Sequence, residues 1–298
     1  MAVIKLKDVS KLYGFGDATT VALEEVSLSI EKGEFVAIMG PSGSGKSTLL
    51  NIIGMLDHPT HGVYTLDGRM VERLKSGARA KARRDKIGFV FQSSNLLSRM
   101  NVLENVALPL SYRGRARMRR MRIARDMLER VGLGDRAYYL PNQLSGGQVQ
   151  RAAIARALVN DPTIIIADEP TGNLDSASSR LVMELISEIH KGGNTVLMVT
   201  HNPELTRYAT RILYMHDGMI AYDEQKRLGE VVTDAEEKTS LFRGESSEEA
   251  DLAGVSALMS MEPKDEPKPV KKKTKNPKKT KSKLPKRPKS KSSRKKKS

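Results

Sequence analysis

The sequence predicts an α/β domain built on a parallel sheet. Three short apolar segments, at residues 35–39, 164–167 and 196–199, are continuous rather than alternating in polarity. Such runs are typical of parallel strands that are covered by helices on both faces. Helical patterns lie between them, for example at 180–190, where the apolar residues fall on one side. Strands that alternate with helices in this way indicate an α/β fold.

Two further regions are predicted to join this core. The segments 4–9, 21–30 and 63–66 alternate in polarity and are connected by glycine-containing turns, so we expect a small antiparallel sheet. Residues 114–133 have a helical pattern and belong to a helical subdomain that we place at about 93–160. Its basic start is interpreted as a solvated helix face rather than a phosphate site. The arginines concerned are Arg113, Arg115, Arg117, Arg119, Arg120 and Arg122.

Charge divides the chain into a neutral part and a basic tail. Residues 264–298 carry 18 Lys and Arg against 2 Asp and Glu, which equals the net charge of +16 of all 298 residues. Residues 1–263 therefore sum to zero. The high net charge belongs to the tail and does not indicate that the folded domain is a basic nucleic-acid binder. We predict a folded domain at 1–227, an acidic linker at 228–263 and a disordered Lys-rich tail at 264–298.

Composition also limits the chemistry and the location. The chain has no cysteine, which excludes disulfides, thiolate metal sites and cysteine nucleophiles, and which fits a reducing cytoplasm. Its first residues lack the order of a signal peptide. No apolar run approaches the roughly 18 to 20 residues of a membrane helix. If the protein works at a membrane, another polypeptide is expected to supply the spanning helices.

A glycine-rich segment matches the phosphate-binding loop pattern, and it stands between the strand at 35–39 and a helix predicted at 47–53. Glycines let backbone N–H groups curl around a phosphate, Lys46 reaches the β- and γ-phosphate oxygens, and the Ser47 hydroxyl binds Mg²⁺. A chance glycine-rich turn is the alternative, but it would not need the flanking strand and helix. The residues assigned here are Gly40, Pro41, Ser42, Gly43, Ser44, Gly45, Lys46, Ser47 and Thr48.

Two carboxylates end the strand at 164–167. Asp168 is expected on the metal side of the phosphates, where a hard cation that keeps several waters needs few protein ligands. Glu169 lies one residue further and could polarise an attacking water. By itself an Asp-Glu pair at a strand end is more often a turn or a helix cap. The phosphate loop about 120 residues earlier favours the functional interpretation.

A second glycine-rich segment, 144–148, opens a predicted helix and forms another potential anion site. One nucleotide does not need two such loops from one chain. We therefore expect two copies of the domain to face each other, each lending this segment to the other's ATP. A plain glycine-rich helix cap is the alternative. The residues concerned are Ser145, Gly146, Gly147 and Gln148.

Taken in order, these motifs resemble those of the ABC (ATP-binding cassette) ATPases, which have a P-loop NTPase fold. The resemblance covers roughly residues 2–225 and also includes Gln92, Asn173-Leu174-Asp175 and His201. The sequence segments 51–57, 85–92 and 168–175 are similar to those of the macrolide-exporter and lipoprotein-release branch of this family. The resemblance implies a mixed core sheet, a small antiparallel subdomain and a helical subdomain.

The resemblance also implies further roles. Tyr13 would stack on adenine, and Gln92 would contact the metal and the attacking water while linking to a membrane partner. Asp175 would lie at the dimer seam, and His201 would hold the γ-phosphate and the water. Ser145 and Gly147 would contact the γ-phosphate of the opposite protomer. The alternatives are a core aromatic for Tyr13 and a strand-end cap for His201.

The function expected from this resemblance is ATP hydrolysis that drives a separate membrane permease. The expected ligands are ATP and Mg²⁺, and the expected assembly is a homodimer around two ATP molecules, peripheral on the inner face of the cell membrane. Alternatives are an ABC ATPase acting on nucleic acid or ribosomes, or one in a membrane signalling complex. The basic tail could bind an anionic membrane surface or nucleic acid.

Overall fold

The computed structural model describes residues 2–14 and 19–231. The tail predicted at 264–298 and most of the linker predicted at 228–263 lie outside the described residues, so both stay predictions. The strands are β1 Ala2–Tyr13, β2 Thr20–Glu31, β3 Phe35–Met39, β4 His61–Leu66, β5 Arg69–Met70, β6 Ile87–Val90, β7 Ile164–Asp168, β8 Thr195–Val199, β9 Arg211–His216 and β10 Met219–Gln225. The α-helices are α1 Lys46–Ile53, α2 Ser76–Lys86, α3 Val102–Ser111, α4 Arg117–Arg130, α5 Gly146–Leu158 and α6 Ser176–Lys191.

Six strands form the core sheet in the order β10-β9-β3-β8-β7-β6. All neighbours are parallel except β10, which is antiparallel to β9. The predicted α/β fold with a mixed core sheet is therefore confirmed. Because β3, β7 and β8 are parallel, their carboxyl ends meet at one edge of the sheet, where ligands of such sheets bind.

The two faces of the core sheet pack against different layers. Along β3, Val36 and Ile38 pack with α1 and with the four-stranded antiparallel sheet of order β2-β1-β4-β5. Phe35 and Ala37 face the other way and pack with α5 and α6. Every residue of β3 is buried, which explains why its apolar run is continuous rather than alternating.

Helices α3, α4 and α5 share a third apolar core, and α4 is the helix expected within 114–133. Helix α3 begins with a capping box, in which the Asn101 side chain accepts from the Glu104 N–H and the Glu104 carboxylate accepts from the Asn101 N–H. In the parts of the chain that the structure describes, no helix is both long enough and apolar enough to cross a membrane.

A buried amide holds the segment that leads from β6 into α3. The Asn105 side chain is fully buried and accepts from the Leu97 N–H at 2.7 Å. It donates to the carbonyls of Leu97, Met100 and Asn101 at 3.0 to 3.1 Å. These contacts satisfy backbone groups that would otherwise be buried without partners.

We expect Asn105→Ala to lower the free energy of unfolding by about 2 kcal/mol, because it leaves several of these backbone groups unsatisfied. Urea unfolding followed by circular dichroism measures the change. Asn142→Ala, at an exposed position, is the matched control and is expected to change stability by less than about 0.5 kcal/mol. If both substitutions lowered the free energy of unfolding equally, the stabilising role of the Asn105 hydrogen bonds would be contradicted.

Candidate nucleotide-binding site

The loop between β3 and α1 is shaped by its glycines. Gly40 has φ +142°, and a Cβ there would lie 2.1 Å from the Met215 carbonyl oxygen. Gly45 has φ +94°, and its Cβ would lie 2.5 Å from the Ala22 carbonyl oxygen. Both positions therefore need glycine. Gly45 is also the N-cap of α1 and gives it no side-chain cap, so the N–H groups of the first turn remain available for an anion.

Lys46 lies over this loop. Its ammonium group donates to the carbonyls of Gly40 and Pro41 at 2.9 and 2.6 Å and to the Ser44 hydroxyl at 3.3 Å. Partial burial lowers the pKa of Lys46, while the nearby charges of Glu169 and Asp168 act in the opposite direction. Lys46 is thus a positive charge between the phosphate loop and the two carboxylates at the end of β7.

Those carboxylates differ in their surroundings. Burial, and secondly the charge of Glu169, raises the pKa of Asp168, and Lys46 partly offsets the shift. Glu169 has a left-handed backbone, with φ +46°, and its N–H donates to the Val199 carbonyl at 3.0 Å. Its Oε1 accepts from the His201 N–H at 3.0 Å and lies 2.8 Å from His201 Nδ1. A strained backbone held in this way is common at functional sites.

A cleft of about 490 Å³ brings together residues from five separate parts of the sequence. Its walls include Gly40, Ser42 to Thr48, Gln92, Asp168, Glu169 and His201, as well as Ala22 and Val199. Gly172 leaves space for Gln92, because a Cβ at Gly172 would lie 2.8 Å from the Gln92 amide nitrogen. A phosphate loop, two carboxylates, an amide and an imidazole can together bind a polyphosphate and orient water beside it.

Tyr13 lies near this cleft but does not line it. The ring is 43 % exposed, so the alternative of a core aromatic is wrong. Its hydroxyl donates to Asp57 Oδ2 at 2.8 Å, and the Lys11 ammonium lies 4.8 Å from the ring centroid. Burial, and secondly the hydrogen bond to Asp57, raises the pKa of Tyr13, whereas a contact with Thr48 lowers it.

Lys11 and Asp57 were not identified from the sequence. Lys11 stands two residues before Tyr13 on β1, so the strand period of two could have placed both side chains on one face. Asp57 accepts from the Lys11 ammonium at 2.8 Å across 46 residues of sequence. It lies in an irregular turn after α1, and no local pattern connects it to β1.

The second glycine-rich segment lies outside the cleft of its own chain. Ser145 is the N-cap of α5, and its hydroxyl accepts from the Gln148 N–H while the Gln148 side chain accepts from the Ser145 N–H. Gly147 is buried, and a Cβ there would lie 2.7 Å from the Ser178 hydroxyl. Within one chain these residues, with Gly146 beside Leu174, serve as a close-packed helix start.

Asp175 also lies outside the cleft and caps a helix. It is the N-cap of α6, and its carboxylate accepts from the Ser178 N–H at 2.9 Å. The backbone hydrogen bond to Ser178 lowers the pKa of Asp175. Ser178 thus contacts both this cap and the start of α5, so the two helix starts are neighbours on one surface of the domain.

Comparisons with known proteins agree with this geometry. A family described as ABC transporter matches residues 23–172. An uncharacterized ABC transporter ATP-binding protein of Thermotoga maritima is 51 % identical over 224 residues, which cover 75 % of this chain and 96 % of that protein. The protein YvrO of Bacillus subtilis, which has the same description, is 49 % identical over 223 residues, or 75 % of this chain and 97 % of YvrO.

Two further similarities extend these relationships. The macrolide export ATP-binding/permease protein MacB of Aggregatibacter actinomycetemcomitans is 48 % identical over 244 residues, which are 82 % of this chain but 37 % of MacB. A solved dimer of the ATP-binding cassette MJ0796, described as a post-hydrolysis state bound to ADP and Pi, has a TM-score of 0.70 and 47 % identity. It matches 75 % of this chain and 99 % of the cassette. This chain therefore belongs to the ABC transporter family of ATP-binding proteins, and it is an ATPase with the cassette fold.

Proposed function

We propose that the chain is the ATP-hydrolysing subunit of an ABC transporter, that it dimerises around two ATP molecules, and that it drives a separate membrane permease. The observation that carries this proposal is the cleft at the carboxyl edge of the core sheet, where Lys46, Ser47, Asp168, Glu169 and His201 meet. The export function named for MacB supports an export or lipoprotein-release system over the nucleic-acid and ribosome alternatives.

The phosphates of ATP would lie on the N–H groups of the phosphate loop and the open start of α1, with Lys46 on the β- and γ-phosphate oxygens. The Ser47 hydroxyl, the Asp168 carboxylate and the Gln92 amide are hard oxygen ligands that line the same cleft, so they fit Mg²⁺. When bound, Mg²⁺ neutralises charge that develops on the phosphates. Tyr13 would present its exposed ring to the adenine.

Hydrolysis requires a water in line with the bond between the γ-phosphorus and the bridging oxygen. We assign the orientation of this water to Glu169, whose carboxylate is held by the His201 backbone N–H. The oxygen of the water then forms a bond to the γ-phosphorus, the bond to the ADP oxygen breaks, and Glu169 receives the proton of the water. His201 would donate a hydrogen bond to the γ-phosphate.

Dimerisation explains the helix starts outside the cleft. The segment 145–148 and Asp175 are neighbours on one surface, and the related MJ0796 cassette is described as a dimer. In a symmetric dimer, Ser145 and Gly147 of each protomer would complete the site of the other. Each ATP would then lie between the phosphate loop of one chain and the second glycine-rich segment of its partner.

A permease would dock beside Gln92. The described residues contain no helix that could span a membrane. The relative MacB is described as an ATP-binding/permease protein, so in that protein both functions belong to one chain. A groove of about 890 Å³ lies between the core sheet and the helical subdomain, and Phe91 and Asn95 line it on both sides of Gln92 along the chain. A permease helix in this groove would hold the chain at the inner face of the membrane.

Site-specific crosslinking tests the proposal. The chain has no cysteine, so Tyr112→Cys places a single thiol at the rim of the groove. In native membranes we expect a crosslink to a membrane-spanning protein, identified by mass spectrometry, that strengthens or weakens by more than two-fold with ATP. Lys7→Cys, exposed on β1, is the matched control. If the only crosslinks were to ribosomal or DNA-binding proteins, the proposal that a permease docks in this groove would be refuted.

A further inference from the structure

Tyr13, whose ring is assigned to the adenine, is held by its hydroxyl group at the end of β1. The hydroxyl donates to Asp57 Oδ2 at 2.8 Å and also contacts the side chain of Thr48. Thr48 lies in the first turn of α1, next to Ser47, whereas Asp57 follows the end of α1. The tip of the ring is therefore attached to the helix that begins at the phosphate loop.

The turn that carries Asp57 is folded back against α1. The N–H groups of Leu56 and Asp57 donate to the Asn51 carbonyl at 2.8 and 3.1 Å. Met55, at the start of the turn, has a left-handed backbone with φ +56°, which reverses the direction of the chain. Because these hydrogen bonds fix the turn to the helix, the position of the Asp57 carboxylate relative to the phosphate loop is set by α1.

The chain that follows this turn is joined to the end of β1. The Thr60 N–H donates to the Ser10 carbonyl at 2.8 Å, and the Leu12 N–H donates to the Thr60 hydroxyl at 3.0 Å. The Lys11 ammonium donates to the His58 carbonyl at 2.8 Å. Backbone and side-chain hydrogen bonds thus connect the strand that carries the aromatic ring to the turn that carries its carboxylate partner.

The Asp57 carboxylate accepts from three donors. Its Oδ1 accepts from the Lys11 ammonium at 2.8 Å and from the His58 N–H at 2.7 Å, and its Oδ2 accepts from the Tyr13 hydroxyl. Burial acts to raise the pKa of Asp57, but hydrogen bonds from these donors, that from Lys11 first, lower it overall. The carboxylate therefore stays ionised at neutral pH. Hydrogen bonds to a charged acceptor are stronger than those between neutral groups.

Lys11 also determines which face of the Tyr13 ring is open. Its ammonium lies over the ring, 4.8 Å from the centroid, and only 12 % of the lysine side chain is exposed. A cation in this position is attracted by the negative face of the aromatic ring. Since Lys11 covers one face while 43 % of the tyrosine is still exposed, the opposite face is the one available to a planar base.

From these contacts we infer that Asp57 and Lys11 are positioning residues, which hold the Tyr13 ring at a set distance from the phosphate loop with one face open to the adenine. The inference rests on the proposed function, in which Tyr13 presents its ring to the base. A free tyrosine side chain would lose conformational freedom when the nucleotide binds, and that loss lowers affinity. A ring that is already held avoids the loss, so Asp57 contributes to ATP affinity through Tyr13.

Two single variants and their combination test whether Asp57 acts through Tyr13. Asp57→Ala is expected to raise the dissociation constant for ATP about five-fold, and Tyr13→Ala about ten-fold. In the double variant, Asp57→Ala is expected to add less than about two-fold to the effect of Tyr13→Ala. Isothermal titration of the full-length chain with ATP and Mg²⁺ measures all three. Asp126→Ala removes an exposed carboxylate of α4 and is the matched control, expected to change the constant by less than about two-fold.

Inorganic tripolyphosphate distinguishes positioning of the base from support of the phosphate loop, because it has three phosphates and no adenine. Asp57→Ala is expected to bind tripolyphosphate within about two-fold of the parent affinity. Its kcat for phosphate release at saturating ATP is likewise expected to stay within about two-fold, while its KM for ATP rises. Tyr13→Phe keeps the ring and removes only the hydroxyl, and it is expected to raise the dissociation constant for ATP about three-fold.

Three results would overturn the inference. Equal losses of affinity for ATP and tripolyphosphate in Asp57→Ala would show that Asp57 supports the phosphate loop. Additive effects of Asp57→Ala and Tyr13→Ala would show that Asp57 acts independently of the ring. Parent affinity for ATP in Asp57→Ala would show that the ring needs no anchor. Phosphate release by the parent chain measures the proposed ATPase separately, so a parent that hydrolyses ATP while Asp57→Ala binds it normally loses only the positioning role.

Discussion

Glu169→Gln is expected to lower the rate of ATP hydrolysis about 1,000-fold while leaving the affinity for ATP within about two-fold of the parent value. The amide keeps an oxygen that can accept from the His201 N–H, so the geometry of the loop is retained. What is lost is the charge that we propose orients the water and takes its proton, and proton transfer of this kind typically contributes about 100- to 10,000-fold. Lys46, Ser47 and Asp168, which we propose bind the nucleotide and its metal ion, are unchanged.

In the proposed dimer each ATP lies between the two protomers. Because this ATP is no longer hydrolysed in Glu169→Gln, we also expect an ATP-dependent dimer to accumulate. Phosphate release gives the rate, and light scattering with ATP and Mg²⁺ gives the mass. Glu184→Gln, at an exposed position of α6, removes the same charge outside the cleft and is the matched control. If Glu169→Gln hydrolysed ATP at nearly the parent rate, a group other than Glu169 would orient the attacking water.

The parts of the fold that the sequence predicted best are those with continuous burial. Strands β3, β7 and β8 are covered on both faces, so each appears in the sequence as an unbroken apolar run. Strands β9 and β10 were not identified. Residues 212–215 are equally buried, but β10 is an edge strand with mixed burial. Within the described residues, which end at 231, neither strand is followed by a helix.

The site was predicted where the chemistry is local in sequence. The residues at 40–48 form one loop and the first turn of α1, Asp168 ends β7 and Glu169 follows it, so two short patterns contain these groups. The pairing of Glu169 with His201 spans 32 residues and depends on two adjacent parallel strands. Only the resemblance to a family, and not the spacing itself, connected His201 with the cleft before the structure was known.

Contacts between distant residues explain what the sequence could not predict. Asp57 reaches Lys11 across 46 residues, and Asp85 reaches Arg113 across 28. In both cases an acidic side chain in one element is held by a basic side chain in another, and many other pairs in the sequence have the same composition. Charge alone does not say which pairs meet, because that depends on how the sheets and helices pack.

Lys46→Ala is expected to raise the dissociation constant for ATP about 100-fold. A hydrogen bond to a charged group contributes about 1.5 to 3 kcal/mol, and each 1.4 kcal/mol changes a dissociation constant ten-fold. Lys46 also donates to the Gly40 and Pro41 carbonyls, so its removal could loosen the loop as well. Isothermal titration with ATP, together with a thermal melt of the ligand-free variant, measures the two effects separately.

A comparison of ATP with AMP distinguishes the loss of the Lys46 contact with the phosphates from a loosening of the phosphate loop. Lys46 is assigned to the β- and γ-phosphates, so the affinity for ATP should fall far more than the affinity for AMP, which lacks both. A loosened loop would instead lower the affinity for both nucleotides. Lys86→Ala removes a lysine that pairs with Asp67 on the surface at 2.7 Å and is the matched control, expected to leave ATP binding unchanged. If Lys46→Ala lowered the affinities for ATP and AMP equally, Lys46 would act on the loop rather than on the phosphates. The assignment of Lys46 to the β- and γ-phosphates would then be wrong.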